Sequence, residues 1–321
     1  QVDFLAQYDP LTGLLNRSGF GRAANDLLQT GDGNGAIATI CIDIDHFKSI
    51  NEARSHKGGD AFLRHIGKAI RQLVEPGDVA ARLSGDEFVI MVRRDLPEEA
   101  EDLARCLLLA ASQPVEIDAV SVVGTVSIGV HFAIDGLTLD TRLQRADLAL
   151  FQAKLEGRNC YRIFSASLEE KLARRRYIES AIVNGISEGR FHLVYQPLLN
   201  QSDGSCAGFE ALLRLKDADG SVISPAEFIP IAESTGQIDA IGRWVLETAM
   251  RAAVDWPEPL FVSVNLSVNQ FHCGRLVAEV RELLDKTGLP ASRLELEVTE
   301  SLFISDAEGV GAQLGELRAM G

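Results

Sequence analysis

Two acids stand side by side in the stretch "AARLSGDEFVIMV", Ala80 to Val92, and they are Asp86 and Glu87. Apolar runs on both sides and the glycine at position 85 predict a β-hairpin whose tight turn is Ser84, Gly85, Asp86 and Glu87. Such a turn is ordinarily just solvated, and it becomes a metal or phosphate site only with partners elsewhere in the chain. Asp43 and Asp45 supply them, because they end the apolar run Ala36 to Asp45, where the pleat points both to one face and Ile44 to the other. Magnesium takes few protein carboxylates and keeps positions for substrate phosphates, and two such ions clamp the attacking and leaving oxygens of a phosphoryl transfer. Asp43 with Asp86 or Glu87 suits that role, and Lys48, Lys154 and Arg158 are candidate cations for the phosphates. A second constellation lies further on: Glu210 inside the apolar run "FEALLRL", Asn265 in "SVNLS" and Glu297 in "LEVTES". A carboxylate in an apolar strand is unusual unless paired, and three oxygen-bearing side chains at strand ends favour a hard divalent ion.

The elements that must position these groups follow from periodicity. A helical stretch after "DPLTGLLNR" leads to the strand Ala36 to Asp45, and apolar residues at the 3.6-residue period predict a helix from about Asp60 to Glu75. The hairpin, an acidic-faced helix after Pro97, the strand "VSVVGTVSIGVHF" and the helix "LQRADLALFQAKLEG" come next, an order that implies one mostly antiparallel sheet backed by helices. Ser167 with Glu170 is a capping-box signature that starts a connecting helix, whose Arg174, Arg175 and Arg176 read as a solvated face. Beyond it strands alternate with helices, which suggests a βα barrel with Glu210, Asn265 and Glu297 on its rim.

Composition bounds the rest. The chain of 321 residues is 46% hydrophobic and 24% charged, enough for two globular domains. Its net charge of −15 divides as 17 basic against 23 acidic residues up to Ser165 and 14 against 23 beyond it, so neither half carries the basic footprint of a nucleic-acid binder or a polymerase palm. Cys41, Cys106, Cys160, Cys206 and Cys273 are scattered, with no Cys-x-x-Cys pair, and predict reduced thiols. No apolar run approaches a membrane span and no signal peptide leads the first domain, which suggests a cytoplasmic segment without membrane contact of its own. Both ends look cut, so the parent protein could be membrane-anchored upstream of Gln1.

"DPLTGLLNR", "DIDHFKSIN", "GGD" at Gly58 to Asp60, "RLSGDEF", "SIGV" and "ADLALFQAKLEGRN" occur in the order and spacing of the GGDEF diguanylate cyclase domain, a resemblance that covers almost all of residues 8 to 165. It implies a palm-like, ferredoxin-like α+β domain that condenses two GTP molecules into cyclic di-GMP with loss of pyrophosphate. Asp43, the Ile44 backbone, Asp86 and Glu87 match the metal and catalytic groups, Asn51 and Asp60 the guanine-reading pair, and Lys48, Lys154 and Arg158 the phosphate contacts. Mg2+ is the implied ion, with Mn2+ as a substitute. One domain holds one GTP, so the active form implied is a homodimer. Three departures stand out: Ser84 where the family has glycine, Glu52 and the "ARSH" after it in place of the usual acid and Tyr-Gly-His run, and "EPGD" (Glu75 to Asp78) where the inhibitory Arg-x-x-Asp would grip product. The product-binding site is therefore expected to be missing.

"YQP", "FEALLRL", "FIPIAESTG", "SVNLS" and "LEVTES" resemble the EAL domain, a TIM-type βα barrel phosphodiesterase that linearises cyclic di-GMP to pGpG. By that resemblance Glu210, Asn265 and Glu297 are metal ligands, Glu300 organises a neighbouring loop, and Gln196 and Arg214 contact the dinucleotide. The barrel is expected to be partial, with further catalytic groups beyond Gly321. The reading is thus an α/β chain in three parts: a GGDEF domain over 1–165, a connecting helix over 166–188 and the N-terminal part of an EAL domain over 189–321. The rival reading is a GGDEF domain that binds GTP without turnover and regulates the phosphodiesterase.

Overall fold

A computed structural model describes residues 6–29, 36–117, 120–133, 136–298 and 307–321. The chain divides into two compact units, Gln1–Leu172 and Ala173–Gly321.

In the first unit α1 (Arg17–Gln29) precedes β1 (Ala36–Ile44), α2 (Phe47–Leu73), β2 (Val79–Ser84), β3 (Glu87–Arg94), α3 (Pro97–Ala111), β4 (Val115–Ile117), β5 (Val120–Val122), β6 (Val126–Ala133), α4 (Leu139–Leu155) and β7 (Tyr161–Ile163). The main sheet runs β2-β3-β1-β6-β7 and is antiparallel except for the parallel pair β6 and β7. This is the mostly antiparallel, helix-backed sheet that the order of elements predicts. β1 is apolar almost throughout because helices cover both of its faces. Its residues Ala38, Ile40, Ile42 and Ile44 pack with Phe62, Ile66 and Ile70 of α2 and Leu103 and Leu107 of α3, while Ile37 and Cys41 pack with Phe20 of α1 and Ala146 of α4.

Three local expectations are corrected. α2 begins at Phe47, not near Asp60, so Lys48 and Asn51 lie within the helix. The run "VSVVGTVSIGVHF" is two strands: β5 pairs with β4 in a separate two-stranded sheet, and β6 enters the main sheet. Gly124 lies in the break, where a Cβ would come within 2.4 Å of the Phe62 ring, so the close approach of strand and helix at that point admits only glycine. The connecting helix α5 (Ala166–Gly185) is capped by Ser165, whose hydroxyl accepts from the Leu168 amide at 3.2 Å, two residues before the Ser167 that the capping box singled out.

In the second unit the order is β8 (Phe191–Leu199), β9 (Cys206–Lys216), β10 (Val222–Ile223), α6 (Pro225–Ser234), α7 (Ile238–Val254), β11 (Phe261–Asn265), α8 (Val268–His272), α9 (Leu276–Thr287), β12 (Leu294–Glu297) and α10 (Ala307–Met320). β9, β11 and β12 are parallel neighbours joined by helices, the βα alternation of a TIM-type barrel, whereas β8 and β9 pair antiparallel with no helix between them. Phe228, Ile241, Leu246, Val262, Val264 and Phe271 form the centre of its core. Among the described residues no helix is long and apolar enough to cross a membrane.

Candidate functional site

The hairpin turn is two residues long, with Ser84 opposite Glu87 and Gly85 at φ +43°, a left-handed conformation that explains the glycine. Its shape is held from behind by Arg82. The Arg82 guanidinium donates from Nε and Nη2 to the Gly85 carbonyl at 2.9 and 2.7 Å, and from Nη1 to the Asp9 carboxylate at 3.3 Å. Asp9 also accepts from the Thr12 amide at 2.8 Å and the Thr12 hydroxyl at 2.6 Å. Burial acts to raise the Asp9 pKa, but the Thr12 bonds and the Arg82 charge outweigh it and hold it below the usual range. The opening "DPLTGLLNR" is thus the buttress of the acidic turn, and its Leu15 amide and carbonyl bond to Ala80 and Arg82 of β2. Sequence reasoning did not single out Arg82 or Asp9; the only signal was an arginine four residues before Asp86.

Asp43 lies directly opposite Glu87 in the β1–β3 register, and Asp86 projects from the adjoining turn. The Lys154 ammonium, from the last turn of α4, sits 2.8 Å from Asp43 Oδ1. Burial raises the Asp43 pKa and the neighbouring charges of Asp86 and Glu87 raise it further, against the lowering effect of Lys154. Ser84, the residue that departs from the family pattern, donates its hydroxyl to Glu87 Oε2 at 2.6 Å. Ile44 is buried at the same strand end, in register with Val126. Asp45 belongs to the scaffold: it is buried and accepts from Thr125 Oγ1 at 2.7 Å, Ser127 Oγ at 2.6 Å and the Asn159 amide at 3.1 Å. That last bond comes from a run of left-handed residues, Gly157, Arg158 and Asn159, which ends α4 and leaves the Arg158 side chain exposed.

On α2, Lys48 is exposed and 3.6 Å from Glu52, and Asp60 is 3.9 Å from Arg64. Asn51 and Gly59 are in close contact, since a Cβ on Gly59 would lie 2.1 Å from Asn51 Oδ1. In an unbent helix eight residues advance about 12 Å along the axis. The contact therefore requires α2 to bend between the two, and the Gly58–Gly59 pair is the sequence feature that permits it. The bend brings Asn51 against Gly59, the residue that precedes Asp60 in the chain.

In the second unit Glu210, Asn265 and Glu297 lie on three adjacent parallel strands. Ser263 is in register with Glu210, and Asn265 with Glu297. Asn265 Nδ2 donates to Glu210 Oε1 at 2.6 Å, and Ser263 Oγ donates to Glu297. Gln196 stands opposite Glu210 on β8, and Arg214 opposite His192. A cavity of about 730 Å3 opens beside them, lined by Arg214, Ile229, Glu233, Asn265 and Ser267 among others. Glu233, which the sequence reading quoted inside "FIPIAESTG" without assigning it, accepts from the Ser267 hydroxyl at 2.7 Å. Glu300 lies outside the described residues.

Both clusters fit a hard cation through oxygen. In the first, three carboxylates that repel one another are answered by one ammonium, an excess of negative charge that a divalent ion would balance. Among the described residues no three acidic, cysteine or histidine side chains converge closely enough to form a metal cage. Magnesium in proteins is ordinarily held by few carboxylates together with substrate phosphates, so a closed protein cage is not required of such a site. In the second, half a turn of the Asn265 amide presents its oxygen instead of its nitrogen beside Glu210.

The diguanylate cyclase GGDEF domain model matches residues 6–160, and the EAL domain model matches residues 179–321. An uncharacterized signaling protein of Caulobacter vibrioides is 38% identical over the whole of this chain, which covers 40% of that protein. The bifunctional diguanylate cyclase/cyclic di-GMP phosphodiesterase MucR of Pseudomonas aeruginosa is 36% identical over 99% of this chain, which covers 47% of it. The chain thus spans less than half the length of these curated relatives. Among solved structures, the S helix-GGDEF-EAL segment of Vibrio cholerae LapD, bound to cyclic di-GMP, superposes on the whole chain at a TM-score of 0.51 and 18% identity, over 76% of its own length, which shows a shared fold. With a GGDEF domain followed by an EAL domain in one polypeptide, the chain belongs to the GGDEF–EAL family.

Proposed function

We propose that this chain turns over cyclic di-GMP: its first domain condenses two GTP molecules into the cyclic dinucleotide and two pyrophosphates, and its second, as part of a complete barrel, hydrolyses the product to linear pGpG. The observation that carries the reading is the meeting of Asp43, Glu87 and Asp86 with Lys154 at one strand end. The name of the bifunctional relative MucR supports catalysis in both domains over a GGDEF domain that only binds GTP.

Asp43, the Ile44 carbonyl, Asp86 and Glu87 are the groups that would hold Mg2+, or Mn2+ in its place. When bound, the ion supplies neutralisation of the charge that grows on the α-phosphate and activation of the attacking 3′-hydroxyl. Lys48, Lys154 and Arg158 hold the triphosphate, whose anionic oxygens are acceptors for ammonium and guanidinium donors. Asp60 accepts from the guanine N1 and N2 donors while Asn51 pairs with the base edge beside it, and adenine offers no matching donors. Arg82 and Asp9 act on the chemistry only by holding the turn. Each domain carries one GTP, so two chains face each other as a homodimer during condensation. In the second domain Glu210, Asn265 and Glu297 hold the cation, Gln196 and Arg214 contact the dinucleotide, and Glu300 orders a loop beside them.

The functional boundaries we assign are 1–165 for the cyclase domain, 166–188 for the connecting helix and 189–321 for the EAL part. GTP as substrate puts the segment in the cytoplasm. Incubating the protein with GTP and Mg2+, and separately with cyclic di-GMP, and separating the products by chromatography tests the reading. Cyclic di-GMP formed from GTP supports it, and GTP bound but returned unchanged overturns it in favour of the binding module.

A further inference from the structure

We infer that Gly59 is a specificity-determining position for the cyclase domain: its missing side chain is what allows Asn51 to stand where it reads the nucleotide base. The inference rests on the assignment of Asn51 and Asp60 to guanine made above. A Cβ at position 59 would lie 2.1 Å from Asn51 Oδ1, 2.9 Å from Asn51 Cγ and 3.0 Å from the Phe47 ring. Gly59 is buried and its backbone is not among those with positive φ, so backbone conformation alone does not demand glycine there. What demands it is space. Phe47 and Asn51 are four residues apart, so they share one face of the first turns of α2, and Gly59 is the surface on which that face rests.

The consequence for an added methyl is selective. The Phe47 contact is at the limit of tolerance, whereas the Asn51 amide overlaps outright and is the terminal group of a side chain with free rotation. The amide therefore swings away, and the base loses its partner. Lys154, Arg158, Asp43, Asp86 and Glu87 sit on other elements, and Lys48, although on α2, is exposed and is not among the atoms the added methyl would meet, so the triphosphate is held as before. Alanine is also a better helix former than glycine, which works against a general loss of folding. Gly59→Ala should thus lower affinity for the guanine nucleotide and leave the adenine nucleotide unmoved, a pattern that general damage to the domain does not produce.

The test is calorimetric titration of the whole 321-residue chain with the α,β-methylene analogues of GTP and ATP in Mg2+, for the parent, Asn51→Ala, Gly59→Ala and the double variant. Loss of one neutral hydrogen bond corresponds to about a tenfold fall in the GTP-to-ATP affinity ratio. The expected result is that fall in Gly59→Ala and in Asn51→Ala, with no further fall in the double variant, because both act through the same amide. If Asn51→Ala leaves the ratio unchanged, the guanine assignment fails and this inference fails with it. If Asn51→Ala lowers the ratio and Gly59→Ala does not, or if Gly59→Ala weakens both analogues equally, the assignment stands and the role of Gly59 is refuted.

Discussion

His131 gives the first domain a dependence on acidity whose size can be worked out. It lies on β6 opposite Thr39 of β1, is 3% exposed, and meets the Phe164 ring edge-on at 5.5 Å. Neither His131 Nδ1 nor Thr39 Oγ1 has a hydrogen-bond partner among the described residues. Burial, with the charges of Arg145 and Arg142, pushes the imidazole pKa from 6.5 down to about 4. The unfolded chain therefore binds the proton more readily than the folded one. The stability this neutral histidine supports is fully present above pH 6.5 and is lost as pH falls from 6.5 towards 4. Between pH 7 and pH 5 the loss is about 2 kcal/mol, or about 4–8 °C in the melting temperature of a domain of this size. Asp43 opposes the trend, because a carboxyl whose folded pKa is raised gains stability as pH falls, so the wild-type curve alone is uninformative. The assay is thermal unfolding by circular dichroism of the parent and of His131→Phe across pH 5–7, compared in the transition that the substitution shifts. The difference between the two should shrink or reverse by about 2 kcal/mol on acidification. Parallel curves would show that His131 is protonated as easily inside as outside, and the argument from burial would be wrong.

Other outcomes follow from the same geometry. Asp86→Asn should abolish cyclic di-GMP formation while changing stability by no more than a surface substitution does, about 0.5 kcal/mol, since a half-buried turn residue adds little to the core; near-parental product formation would remove Asp86 from the site. Arg82→Ala should cost about 1–3 kcal/mol of stability, because it frees the Gly85 carbonyl and the Asp9 carboxylate together, and should lower kcat more than KM; an equal loss in Asp9→Ala and no additional loss in the double variant would confirm one buttress. The cyclase should not be inhibited by its product through the "EPGD" stretch, where Asp78 is already bound by Arg94 at 2.8 and 2.9 Å and by the Glu75 amide at 2.8 Å; noncompetitive inhibition that disappears in Asp78→Ala contradicts this.

What the sequence made legible was the part set by periodicity and short-range spacing. Alternation fixes that Asp43 and Asp45 share a face, and a glycine beside two acids fixes a tight turn. Residue type suggests Asp43 with Asp86 or Glu87 and Lys154 as a cation for phosphates, but spacing gives no sign that Lys154 sits against Asp43, because strand pairing and a helix 111 residues downstream bring them together. Three features escaped for physical reasons. Gly124 breaks an unbroken apolar run, and only the Phe62 ring packed on it shows why. The bend in α2 joins two helical limbs without a coil residue, so the apolar period from Asp60 onward reads as the start of the helix. Arg82 looks like any polar residue on an edge strand until its partners, the Gly85 carbonyl and Asp9, are seen.

The end of β1 and the end of α4 are joined at two points: Asp43 to the Lys154 side chain, and Asp45 to the Asn159 main chain. A single attachment would leave the helix free to pivot about it, and two separated ones remove the pivot as well as the slide. The two differ in kind. The Lys154 contact is a single ion pair between partly exposed side chains, whereas Asp45 is buried and satisfied by three donors from the scaffold. On the proposed function, substrate would draw the lysine away from Asp43 without unmooring the helix that carries it, and the return of the ammonium after each turnover would be a side-chain rotation and not a rearrangement of the backbone.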